Sequence, residues 1–263
     1  MGFVFKDRWA LVTGASSGIG KELAEELAHR GTNLVVVARR ENLLTDLATN
    51  LEKKYGVRAV VHAMDLTAPD AAVALTEFLK EYEVSILVNN AGFAATGPVL
   101  DTEWATYRRM LDLNMGFLCE LTYRMLPDLK RRDQARILNV GSIAGYQGVS
   151  NMVIYSATKA FVNNFTEGLQ WELHGSNVAA TCLQPGKTES EFFDVAHMRG
   201  TRFVKSGVMS ARAVARQGID AMQKGKPSLV TGWMNKISIF GLRLSPRWLV
   251  GFTIRNMFRE MGR

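Results

Sequence analysis

Cysteine is almost absent: the 263-residue chain holds only Cys119 and Cys182, each inside an apolar stretch. Two thiols placed this way read as buried side chains in a reducing compartment, not as a disulfide framework. Long apolar runs are missing as well. No uncharged stretch approaches the roughly 18 residues of a membrane-crossing helix. Lys6, Asp7 and Arg8 interrupt the start before the apolar centre of a secretory leader can form, so a cytoplasmic protein is expected. There is no internal repeat, low-complexity run or interdomain linker. The length suits one large domain, and a composition 47% hydrophobic and 22% charged is that of a globular protein.

Acid is scarce in one region. Residues 236–263 carry six Lys/Arg against a single acid, Glu260, while the rest of the chain carries 26 against 24. The net charge of +7 is therefore largely a basic tail on a near-neutral body, which argues against nucleic acid as a partner. The division expected is a main domain over 1–235 and a basic amphipathic extension over 236–263. Ser245-Pro246 reads as a helix start. Val250, Ile254, Met257, Phe258 and Met261 then share one face, and Arg247, Gly251, Arg255 and Arg259 form the opposite stripe. Such a helix can lie on an anionic membrane as a peripheral contact, pack on a neighbouring subunit, or cover a pocket.

The body alternates apolar runs with helical patterns. Ala10-Leu11-Val12 feeds Thr13-Gly14-Ala15-Ser16-Ser17-Gly18-Ile19-Gly20, and a helix opens at once, with Leu23, Ala24, Leu27 and Ala28 on one face and Gly31 placed to end it. A glycine-rich turn leading into a helix N-terminus favours a phosphate, because the backbone can come close and unpaired N–H groups face it. The spacing is G-x-x-x-G-x-G, which differs from the common G-x-G-x-x-G. The run Leu34–Val37 ends in Ala38-Arg39-Arg40, with no acid at this corner. An acid would accept from the ribose 2′-hydroxyl of NAD, whereas arginine accommodates the 2′-phosphate, so NADP(H) is expected.

Further helix and strand patterns follow. A helix over 41–55 closes at Gly56, the strand Ala59–His62 leads to Asp65-Leu66, and a helix spans 68–81. The strand Ile86–Val88 delivers Asn89-Asn90-Ala91-Gly92. One long helical region from Asp101 to Arg132 contains Asn114 among apolar neighbours, where it must be paired if buried. Ile137–Val140, Val178–Leu183 and Leu229-Val230 are strands, and a helix spans 210–224. The segment 189–208, with Phe192, Phe193, Val195, Met198, Phe203 and Val204, suits a flap over a hydrophobic substrate. The pattern is an α/β, Rossmann-like doubly wound parallel sheet flanked by helices, a single domain with the C-terminal extension.

Tyr155 and Lys159 stand four apart at the start of a helix, so they leave one face a turn apart. A cation beside a phenol favours its ionised form and brings proton transfer toward the working range. Ser142, at a strand end, can bond the same substrate oxygen.

Together these motifs resemble the short-chain dehydrogenase/reductase family, in its compact single-domain branch, over about residues 7–232. Gly14, Ser16, Ser17, Gly18, Ile19 and Gly20 lie in what is similar to its cofactor turn, and Asp65 with Leu66 matches its adenine-side acid. Asn90, Ala91 and Gly92 belong to its sheet-holding motif, and Pro185, Gly186 and Thr188 fall at its nicotinamide contact. Asn114, Ser142, Tyr155 and Lys159 fall on its catalytic tetrad, including the thirteen-residue step from Ser142 to Tyr155. The resemblance implies Tyr155 as general acid/base, Lys159 lowering its pKa and binding the nicotinamide ribose, Ser142 holding the carbonyl, and Asn114 positioning a relay water. Arg39, with Ser16 or Arg40, would bind the 2′-phosphate, and no metal is implied. Lys187-Thr188-Glu189-Ser190 is more charged than the family's usual residues here. A homodimer or homotetramer is expected. Phe93, Ala94, Ala95, Ile143, Tyr146, Met152, Phe192, Phe193 and Met198 offer no charge, so the expected substrate is a hydrophobic ketone or aldehyde: a 3-oxoacyl chain, a steroid-like ketone or another lipid carbonyl. An NADPH sensor, or an isomerase or lyase on the same scaffold, is the competing reading.

Overall fold

The computed structural model describes residues 2–189 and 208–257. Its frame is a seven-stranded sheet, β1 (Trp9–Thr13), β2 (Asn33–Ala38), β3 (Ala59–Ala63), β4 (Val84–Asn89), β5 (Ala135–Val140), β6 (Val178–Gln184) and β9 (Ser228–Val230), in the order 3-2-1-4-5-6-9. Every pairing is parallel, with Leu11 opposite Val35 on one side and Leu87 on the other. β7 (Thr188–Glu189) and β8 (Met209–Ser210) form a separate pair.

Parallel strands need long crossovers, and these bury the sheet on both faces. Side chains alternate along each strand, so Ala10 and Val12 pack on one side and Leu11 on the other. The first side is covered by α1 (Gly18–His29), α2 (Glu41–Tyr55) and α7 (Ala211–Gln223), through Leu23, Leu44 and Ile219. The second is covered by α3 (Ala71–Phe78), α5 (Leu118–Arg131) and α6 (Val153–Glu172), through Leu75, Leu121 and Leu169. Strand order reverses between β1 and β4, which leaves a crevice at the carboxyl ends of the strands.

Several boundaries differ from the sequence reading. The helix expected over 68–81 is α3 followed by a 3₁₀ turn, Leu79–Glu81. The region expected as one helix from Asp101 to Arg132 is α4 (Trp104–Leu111), a π-helical turn (Asp112–Phe117) and α5. Asn114 sits on the π turn, where its side chain draws the backbone toward Phe93.

The tail is two helices, α8 (Trp233–Leu244) and α9 (Arg247–Met257), joined at Ser245-Pro246. The apolar face of α9, read as able to meet a membrane, a neighbouring subunit or a pocket, is turned inward. Val250 and Ile254 are buried in one apolar cluster with Tyr107, Met110 and Met152. The side chain of Met257 and residues Phe258, Arg259 and Met261 lie outside the described residues, as do Phe192, Phe193, Val195, Met198, Phe203 and Val204. No helix among the described residues is long and apolar enough to cross a membrane.

Candidate active site

A cavity of about 1440 Å³ runs along the carboxyl ends of the strands. Within it β2 and β6, whose ends carry Arg39 and Pro185, are four spacings apart, roughly 19 Å at ~4.8 Å each, which suits an extended dinucleotide.

At the β1–α1 turn, Gly14 has φ +67°, a conformation that favours glycine. Gly20 is required by close approach: a Cβ there would lie 2.3 Å from both the Gly14 carbonyl oxygen and Asn90 Nδ2. Asn90 Nδ2 donates to the Thr13 carbonyl at 2.9 Å, and Thr13 Oγ1 accepts from the Asn90 and Ala91 amides. β1 and β4 are thus pinned together beneath the turn. Ser16, Ser17, Gly18 and Ile19 line the cavity at the N-terminus of α1, where an anion is favoured.

Arg40 donates to Ser16 Oγ at 3.1 Å and to Ser17 Oγ at 2.8 Å, and Arg39 is exposed beside it. Asp65 accepts from the Thr67 amide and hydroxyl, and these bonds, with Arg39 and Arg109 nearby, hold its carboxyl below the usual range. Leu66 is buried next to it.

The other end of the cavity holds the four residues expected to act together. Ser142 Oγ accepts from the Ala144 amide at 3.1 Å and is hydrogen-bonded to the Tyr155 phenol. Burial pushes that phenol up to about 12, against the opposing effect of Ser142. Lys159 Nζ donates to the Val140 carbonyl at 2.7 Å and lies 5.8 Å from the centre of the Tyr155 ring. The lowering of the phenol by Lys159 that the spacing suggested is absent here, because the ammonium turns to Val140 and burial governs both groups. Lys159 itself is pulled down to about 8 by burial.

Asn114 is not left to hold a water by a free amide. Its Nδ2 donates to the Phe93 carbonyl and Thr158 Oγ1, and its Oδ1 accepts from the Phe93 amide. It still borders Lys159: a Cβ on Gly92 would be 2.9 Å from Asn114 Oδ1 and 3.8 Å from Lys159 Nζ.

Pro185 accepts from the Ile143 amide, and Thr188 Oγ1 donates to the Gly186 carbonyl. A Cβ on Gly186 would lie 2.3 Å from Asn235 of α8, so the tail packs onto this loop. Ser190 lies outside the described residues.

Some functional positions were missed. Asn163 Nδ2 donates to the Ser142 carbonyl, and Gly145 allows the Ser142 turn to press on α6, where a Cβ would come within 2.6 Å of the Lys159 backbone. An Asn on the inward side of a helix and a Gly three residues past a serine were the available signals. Gln147 lines the cavity and its buried Oε1 has no partner among the described residues. Of the expected apolar wall, Phe93, Ile143 and Met152 line the cavity. Tyr146 instead donates to Gln184, and Ala94 with Ala95 joins the core beside Tyr107.

Burial of Lys159 has a measurable signature. Below pH 8 the lysine is charged in both folded and unfolded chains, while from pH 8 upward the unfolded chain binds more protons, so stability rises with pH. Chemical denaturation should show the wild type gaining about 1 kcal/mol relative to Lys159→Met between pH 8 and pH 9. In the same window the buried Cys182 thiol, pushed up to about 11, and the half-buried Cys119 thiol, also raised, oppose the gain in both proteins because the unfolded chain loses those protons first. A wild type that gains nothing over Lys159→Met from pH 8 to 9 would contradict this.

The family model for short chain dehydrogenases matches residues 8–198. A very-long-chain 3-oxoacyl-CoA reductase from Danio rerio is 38% identical over 183 residues, which is 68% of this chain and 57% of that protein. This chain therefore spans little more than half the length of that relative. Sulfoacetaldehyde reductase 2 from Chromohalobacter salexigens is 38% identical over 186 residues, 69% of this chain and 73% of that one. A short-chain dehydrogenase from Sphingobium yanoikuyae, solved with NADPH, superposes with a TM-score of 0.79 at 31% identity, covering 90% of this chain and 94% of that one. The chain belongs to the short-chain dehydrogenase/reductase family and is an oxidoreductase.

Proposed function

We propose that this short-chain dehydrogenase uses NADPH to reduce a hydrophobic ketone or aldehyde to its alcohol, with a long 3-oxoacyl thioester as the favoured substrate class. The observation that carries the reading is the Ser142–Tyr155 hydrogen bond at the wall of a cavity that otherwise turns apolar under the tail helices. Ile239, Leu242, Val250 and Ile254 supply that apolar surface. Gln147 adds a side-chain amide beside it, whose Oε1 has no partner among the described residues.

The residues fit a nicotinamide dinucleotide on structural grounds. The glycine turn lines the cavity at the N-terminus of α1, where backbone N–H groups favour a pyrophosphate, and Arg39, Arg40 and Ser16 line the corner where the 2′-phosphate would lie. When bound, the reduced nicotinamide supplies the hydride. The chain's own groups supply the remainder. Ser142 and Tyr155 hold the carbonyl oxygen, and the phenol, kept protonated by burial, donates its proton to that oxygen. Lys159 carries the positive charge of this end of the site at neutral pH. The reductase name of the zebrafish relative supports the acyl substrate, and the NADPH of the Sphingobium structure supports the cofactor.

A chain-length series tests the substrate class. Each added pair of buried methylenes contributes roughly 1.6 kcal/mol, so kcat/KM should rise on the order of tenfold per two-carbon extension until the cavity is filled. NADPH oxidation would be followed with 3-oxoacyl thioesters and with sulfoacetaldehyde, the substrate named for the bacterial relative. Turnover of the short charged aldehyde that equals the long chains would sink the proposal.

A further inference from the structure

The tail helices have a second apolar face, and none of the described residues covers it. On α8, Trp233, Ile237, Phe240 and Leu244 recur at i, i+4, i+7 and i+11, one stripe of a helix with 3.6 residues per turn. They are 72%, 62%, 65% and 73% exposed. The opposite side of α8 faces the cavity with Asn235, Ile239 and Leu242; of the outer stripe Trp233 also borders the cavity, while Ile237, Phe240 and Leu244 do not line it. On α9, Trp248 and Phe252 are exposed while Val250 and Ile254 point inward.

The charges around this face have one sign. Residues 233–257 contain no Asp or Glu, and Lys236, Arg243, Arg247 and Arg255 are all exposed. None of the four joins an ion pair among the described residues. Lys236 and Arg243 fall at the edge of the α8 stripe, roughly 60–100° around the helix from its centre.

We propose that α8 and α9 seat the protein on an anionic lipid surface, with Trp233, Ile237, Phe240, Leu244, Trp248 and Phe252 as the side chains that enter it. Tryptophan and large aliphatic side chains flanked by Lys/Arg match the boundary between acyl chains and negative headgroups. A second copy of this chain fits less well. Self-pairing through this face about a two-fold axis would set its four cations against the same four with no carboxylate between them. The seat also has a consequence for traffic. The same two helices wall the cavity, so an apolar molecule dissolved in the lipid meets the cavity without crossing water.

The inference is independent of the reduction chemistry, since it is read without cofactor or substrate. The full chain would be sedimented with phosphatidylcholine vesicles, with and without phosphatidylserine. Binding to the anionic vesicles is expected, weakened by salt, with partition at least tenfold lower for the triple variant Trp233→Gln, Ile237→Gln, Phe240→Gln. Lys236→Gln with Arg243→Gln should weaken binding to anionic vesicles alone. All five positions are exposed, and circular dichroism would check that the variants fold. Brominated lipid should quench wild-type tryptophan fluorescence, and less in the triple variant. A wild type that stays in the supernatant, or binding unchanged in the triple variant, overturns the proposal. An oligomer that the triple variant splits, without vesicle binding by the wild type, assigns the face to a second copy and overturns it too.

Discussion

Tyr155→Phe is expected to lower kcat/KM for the best ketone by roughly 10²–10⁴-fold, the range for loss of a positioned general acid. Among the described residues the phenol is the one group in the cavity that combines a buried, protonated oxygen with a hydrogen bond to Ser142. Burial places its pKa near 12, so the acid form is present throughout the physiological range and reduction finds its proton in place. The substitution removes one oxygen from a wall of the cavity. Ser142 keeps its bond from the Ala144 amide, so the turn should hold its shape. NADPH affinity, measured by fluorescence titration, should therefore stay within about threefold while turnover collapses. A variant that retains a tenth or more of the activity would show that the proton comes from elsewhere. One that loses cofactor binding in parallel would show a structural defect instead.

Replacing both Arg39 and Arg40 by Ala should reduce the preference for NADPH over NADH by on the order of 10²-fold or more. Hydrogen bonds to a charged group contribute about 1.5–3 kcal/mol each, and two guanidinium groups flank the corner where the 2′-phosphate would lie. The effect should appear almost wholly in KM for NADPH, with NADH kinetics changed only a few-fold, because NADH has nothing for these arginines to hold. The single variants should differ. Arg40 is also tied to Ser16 and Ser17, so its loss loosens the glycine turn and should weaken both cofactors somewhat. Arg39→Ala should act on NADPH alone. A wild type that prefers NADH, or a double variant with unchanged preference, would refute the assignment.

The two ends of the cavity were legible because their chemistry is local. Gly14 to Gly20 follow a strand and open a helix, and Tyr155 and Lys159 share a helical face, so spacing suggests the two ends and the resemblance to the family assigns them. Side-chain direction was not legible. Whether Lys159 turns to Tyr155 or to the Val140 carbonyl depends on β5, a segment distant in sequence until the sheet forms. The π turn at Asn114 was hidden for the same reason, since its amide is satisfied by Phe93 and Thr158. The role of the tail was not legible: the face of Val250 and Ile254 was left open between a membrane, a neighbouring subunit and the pocket. Apolar residues occur on both sides of each helix, and no periodicity says which side the body will claim. Tyr146 shows the same ambiguity in one residue: its ring suits a pocket wall, and its hydroxyl found Gln184.

The order of parts along the chain has a corollary. Every group assigned to the reaction or the dinucleotide among the described residues precedes residue 190, whereas the two helices that roof the cavity begin at Trp233. Those helices meet the body through few fixed points, chiefly Asn235 on Gly186 and the patch of Val250 and Ile254. Replacing the segment after Gly232 is therefore expected to change what the cavity admits while leaving the groups assigned to proton transfer in place. A graft after Gly232 is the natural place to retool what this enzyme admits.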